Sequence, residues 1–237
     1  MIKNKEHDFT YSYSPEEIEL IADAENKRFD AIRLKIPKPL DIHSYAEKLL
    51  GVTFDYKYLS HNGVPQCVLF YDATTTIVSS RYMPDCKNAL EVIEKCKPYE
   101  IPVRARTIIV DQSIVDRGWW FKEKFDIGHE CGHLILHPNG FTHDDCNYKP
   151  HAYGERMTDM NLCEHQASRF SSALLMPREV TIKLFRSLMK IDSILPQTED
   201  EKIISVVEKM SEIFDVSYQA MEYRLVNLKL IFLVENL

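Results

Sequence analysis

The sequence predicts an α+β fold, in which a small antiparallel sheet and one central amphipathic helix are followed by a C-terminal helical subdomain. Three observations carry that expectation. Short β-branched runs between residues 52 and 115 have the length and punctuation of strands. Helical periodicity brackets them on both sides. From residue 161 onward, apolar residues recur at helical spacing with only brief interruptions. The expected division is one domain over residues 1–177 and a helical subdomain over 178–237.

The bounds agree with this. The chain has 237 residues, 45% hydrophobic and 27% charged, which is enough for a substantial core. A formal net charge of −7 disfavours direct contact with nucleic acid. No apolar run reaches the roughly 18 residues that a membrane span needs, so no membrane partner is expected. The polar stretch Met1–Asp8 has no apolar core behind it and does not read as a secretory signal. Without such a signal, the six cysteines (67, 86, 96, 131, 146 and 163) read as reduced thiols, and the expected compartment is the cytoplasm.

In chain order, Ser14-Pro15-Glu16-Glu17 has the composition of a helix start, with Ile18, Ile21, Ala22 and Phe29 continuing at helical spacing. After a break at Pro37 and Pro39, Asp41 opens a second helix that closes at Gly51. Val52–Leu59, Gln66–Tyr71 and Thr74–Ser79 then read as an antiparallel meander with a turn at Asn62-Gly63. Residues 80–103, with three prolines, read as an excursion holding a short helix around Ala89–Lys95. Arg104–Val115 reads as the strongest strand, and its edge is a place for an extended substrate to pair near Thr107–Asp111.

The chemistry begins in the next helix, Phe125-Asp-Ile-Gly-His-Glu-Cys-Gly-His-Leu-Ile-Leu-His137. His129 and His133 are four residues apart, so their rings project from one face a turn apart. Two imidazoles so placed can hold one Zn2+ ion. Glu130 falls beside the metal but not on it, where a general base takes a proton from an attacking water. Ile127, Cys131, Leu134 and Ile135 supply the side to be buried. His137 lies one turn beyond His133 and reads as a helix-end residue bonding the last carbonyls. It is also an alternative third ligand, although Leu136 and Asn139 exclude the longer three-histidine metal motif.

Residues 140–158 are polar. Tyr148, His151 and Tyr153 are each candidates to donate a hydrogen bond to a developing oxyanion, and the sequence does not choose among them. His143, Cys146 and His151 have spacing too irregular for a convincing second metal site. In the following helix, Asn161–Leu175, Glu164 sits beside Ser168 and Ser171 on a stripe of small and polar residues. Small residues allow close helix approach, which makes Glu164 the third-ligand candidate. Two histidines, one carboxylate and an open fourth position form a standard catalytic zinc set.

These two helices together, Phe125–His137 and then Glu164-His-Gln-Ala-Ser-Arg-Phe-Ser-Ser-Ala-Leu-Leu-Met-Pro177, resemble the ImmA/IrrE family of bacterial metallopeptidases. The likeness extends loosely from about Pro39 to the C-terminus. It implies a zincin-like metallo-endopeptidase with His129, His133 and Glu164 as ligands to Zn2+, or to another divalent ion such as Mn2+, and Glu130 as catalytic base. It also implies a protein substrate, a helix-turn-helix repressor of a mobile element, prophage or stress regulon. The alternative is a regulator that binds such a repressor without cutting it. Ser168 in place of the usual Asn, Cys131 in place of an aliphatic residue, and the length of 80–103 depart from the family pattern. They touch substrate choice, since ligands and base are all present.

The last segment, 178–237, reads as helices with Ser217 as a cap, and Asp215-Val216-Ser217 has the look of an interhelical turn. Its eight basic and ten acidic side chains leave a balance of −2, poor for gripping phosphates. Packing or recognition of a repressor fits this segment better than DNA binding.

Overall fold

The computed structural model describes residues 12–138, 159–190 and 201–232. It is α+β, with helices and two small sheets. Contacts divide it into two units, one spanning residues 42–167 and the other joining 13–41 to 168–237.

In the unit of 42–167, helix α1 (Ile42–Leu50) leads into strand β1 (Thr53–Lys57). Strand β2 is Cys67–Phe70, β3 Thr74–Val78, β4 Tyr99–Val103 and β5 Thr107–Asp111, with helix α2 (Ala89–Cys96) between β3 and β4. The expected meander does not form. The main sheet has the order β1–β5–β2, with β1 parallel and β2 antiparallel to β5, so it is mixed rather than antiparallel. β3 leaves it to pair with β4 as a separate antiparallel ribbon. Pro102, opposite Thr75, is tolerated because a strand of a two-stranded ribbon needs ladder bonds on one side only.

β5 is central and wholly buried, with Ile108, Ile109 and Val110 at 0% exposure. Its continuous apolar run reflects cover on both faces. Paired on both sides, it has no free edge for a substrate, which overturns the expectation for Thr107–Asp111. Nor does the strand continue to Val115. The Asp111 carboxylate takes the Ser113 N–H at 2.9 Å and the Leu59 N–H at 2.8 Å, ending the strand and starting a short helix, α3 (Gln112–Asp116).

Helix α4 (Trp120–Leu136) packs on β2 and β5 and on α1. Its buried side is Ile127, Cys131 and Leu136, while Leu134 and Ile135 are only partly covered. At its first turn, Glu123 accepts a hydrogen bond from the Tyr56 hydroxyl of β1 at 3.0 Å and lies 3.2 Å from His43 Nε2 of α1. This polar knot sets the helix on the sheet. Helix α5 (Asp159–Leu175) begins in this unit and runs on into the other.

In the second unit, helix α6 (Pro15–Asp30) starts with a reciprocal Ser14–Glu17 capping box, as its sequence predicts. The chain then passes through a 3-10 turn, Ala31–Leu34. Arg33 donates to the carbonyls of Leu174 and Leu175 at 2.9 and 2.7 Å, and Asn26 Nδ2 to that of Leu174 at 3.1 Å, capping the end of α5. Helices α7 (Arg178–Met189), α8 (Glu201–Phe214) and α9 (Tyr218–Asn227) follow. Arg224 of α9 grips Glu19 through two hydrogen bonds of 2.5 and 2.8 Å, with both side chains buried. These contacts explain why the N-terminal helix belongs with the C-terminal ones. Among the described residues, no helix is long and apolar enough to cross a membrane.

Candidate metal centre

Helical spacing does what the sequence requires of it. His129 and His133 project from the same face of α4, their rings edge to face with centroids 4.6 Å apart. Glu164 reaches them from α5. His133 Nε2 is 2.9 Å from His129 Nε2 and 3.3 Å from Glu164 Oε1, and His129 Nε2 is 3.0 Å from Glu164 Oε2. All three ligand atoms lie within 4.8 Å of one another. Zinc bonds of about 2.0–2.1 Å in a tetrahedron imply ligand–ligand edges of about 3.3 Å. The observed triangle therefore fits the ion with an expansion of a few tenths of an ångström.

Glu130 stands beside this triangle with its Oε2 accepting the backbone N–H of Leu69 at 3.1 Å. That N–H belongs to β2, on the side of the strand away from β5. The sheet thus fixes the carboxylate that the motif places. Tyr148, His151 and Tyr153 lie outside the described residues, as do His143 and Cys146.

The electrostatics separate the two carboxylates. Burial pushes Glu130 up to about 8; the nearby charges of Glu164 and Asp126 add to this, while His129 and the Leu69 N–H pull the other way. For Glu164 burial also opposes ionisation, but the adjacent rings of His129 and His133 outweigh it and hold the carboxyl far below the usual range. Burial pushes His133 down to about 4, leaving it neutral at pH 7, the form that ligates. At His129 burial favours the neutral ring, yet the hydrogen bond to Glu164 and the charges of Glu130, Glu164 and Asp126 win and raise it. One carboxylate is made basic enough to move a proton and the other is held as an anion.

The His137 ring, expected to bond the last carbonyls of α4, faces His133 and Gln166 in the structure. The ring is 1% exposed, with Nδ1 at 3.2 Å from His133 Nδ1 and Nε2 at 2.9 Å from Gln166 Oε1. The four-residue step from His133 signals the first contact. Nothing in the sequence singles out Gln166, or the Leu69 N–H, before the helices and the sheet are placed.

Residues 121–226 match the family model described as the IrrE N-terminal-like domain, peptidase family M78, which is the ImmA/IrrE assignment that the motifs carry. The match takes in α4, α5 and the helices through most of α9. No curated protein matches the chain.

Proposed function

We propose, from the match of residues 121–226 to the IrrE N-terminal-like domain of a peptidase family, that the chain is a zinc-dependent endopeptidase with a zincin-like core. The observation that supports this reading best is the convergence of His129, His133 and Glu164 beside a separately held Glu130. Two imidazoles and a carboxylate suit Zn2+ better than the all-oxygen cations, with Mn2+ as the other candidate. Zinc, when bound, supplies Lewis acidity toward a carbonyl and acidifies a water.

The chain's own residues do the rest. His129, His133 and Glu164 hold the ion. Glu130 accepts the proton of the attacking water and returns it to the leaving amine, a role suited to a carboxylate held beside the ligand triangle but outside it. The Leu69 N–H fixes the direction in which that carboxylate points. β2 is a border strand whose outward N–H at Leu69 is taken by Glu130, so an extended peptide would pair with the outward groups flanking Leu69 and lie beside that carboxylate.

The substrate is a protein, and the family resemblance nominates a cytoplasmic helix-turn-helix repressor, with the helices of 178–237 serving recognition. Binding without cutting would leave the placement of Glu130 without a purpose. The test is to incubate the zinc-loaded protein with helix-turn-helix repressors from the genome that encodes it and resolve the products on a gel. Cleavage by the wild type, lost with a chelator and lost in Glu130→Gln while the metal is retained, is expected. Normal cleavage by Glu130→Gln overturns the assignment of the base.

A further inference from the structure

His133 has a second nitrogen, and the structure accounts for it. Its Nδ1 faces His137 Nδ1 at 3.2 Å, and His137 Nε2 faces the Gln166 amide oxygen at 2.9 Å. His137 and Gln166 are 1% and 3% exposed, so this row of groups lies in the interior. Two ring nitrogens at that separation share one proton, donated by one and accepted by the other.

The polarity of the row follows from what His133 must do. To offer a lone pair at Nε2 while neutral, it must carry its proton on Nδ1. That proton points at His137 Nδ1, which must accept. His137 then carries its own proton on Nε2, aimed at the Gln166 oxygen, which can only accept. Each ring N–H of the pair then meets an acceptor. The opposite polarity sets a proton on His133 Nε2, between His129 and Glu164, where an ion would lie.

We propose that His137 and Gln166 are positioning residues that hold His133 as its Nδ1–H tautomer and so prepare it to bind metal. The inference rests on the metal reading given above. Partners of this kind behind a ligating histidine are worth about 10–100-fold in metal affinity. Gln166 contributes an oxygen without a charge, so the row stays neutral in the interior.

The experiment is zinc affinity by competition with a chromophoric chelator, joined to nitrogen-15 NMR of the histidine rings in the zinc-loaded full-length protein. The wild type should bind zinc and show His133 metal-bound at Nε2 and protonated at Nδ1. His137→Leu and Gln166→Leu should weaken zinc about 10–100-fold, and Gln166→Glu, which keeps an acceptor oxygen, should restore most of the loss. A wild-type His133 bound through Nδ1 overturns the proposal without any variant, even if His137→Leu fails to fold. So does unchanged affinity in both leucine variants. If the wild type takes up no zinc at all, the metal reading itself fails, an outcome distinct from a failed relay.

Discussion

Replacing Glu130 with glutamine should make the metal-free protein more stable above neutral pH. The carboxyl moves from its ordinary 4.5 to about 8 on folding, so the folded state prefers it protonated. Above pH 4.5 the unfolded chain ionises it freely while the folded chain resists. Stability is therefore lost as pH rises from about 4.5 to 8, and the loss is complete above that range. At 1.36 kcal/mol per pH unit the full penalty is about 5 kcal/mol. Glu130 remains partly open to solvent, and screening brings the figure to about 2–3 kcal/mol. Glutamine keeps the acceptor for the Leu69 N–H and has no charge to desolvate. In a chain of this length the gain amounts to roughly 4–12 °C in Tm at pH 9, shrinking toward acid pH. Thermal unfolding of both metal-free proteins from pH 5 to pH 9 measures it, and zinc should narrow the gap by neutralising the wild-type carboxylate. A gap that is absent at pH 9, or that does not grow with pH, refutes the electrostatic account of the base.

Two further outcomes follow from buried polar contacts. Arg224→Leu strands the Glu19 carboxylate in the interior and should cost about 3–5 kcal/mol in urea unfolding, with much of the loss recovered in the Glu19→Leu/Arg224→Leu double variant; a double variant no better than the single would sink this explanation. Asp111→Ala orphans the N–H groups of Leu59 and Ser113 together and should cost about 2–4 kcal/mol by the same measurement, whereas a change below about 1 kcal/mol would show that water replaces the carboxylate.

The part of this molecule written at helical spacing was legible in its sequence. A four-residue step fixes the direction of a side chain whatever the helix packs against, so His129, His133 and the flanking Glu130 could be read directly. Glu164 could be named but not placed, because no local rule carries a side chain across the 30 residues between it and His133. Strand pairing was not legible. β5 inserts between β1 and β2, and β3 finds its partner across α2, by contacts that no local pattern encodes. The prolines at 98 and 102 hid β4 because proline argues against a strand unless that strand is an edge. The strand propensity of Ile114 and Val115 extended β5 on paper, while the Asp111 cap ends it in fact. The alliance of the N-terminal helix with α9 depends on Glu19 and Arg224, 205 residues apart.

In the proposed centre His129, His133 and Glu164 close on one divalent ion, with Glu130 beside it and not on it. Zinc titration of the purified full chain, read as metal per chain, tests this most directly. One tightly held zinc is expected in the wild type and in Glu130→Gln, and none retained in His129→Ala, His133→Ala or Glu164→Ala. Full zinc occupancy in Glu164→Ala, or loss of zinc in Glu130→Gln with the fold intact, would contradict it.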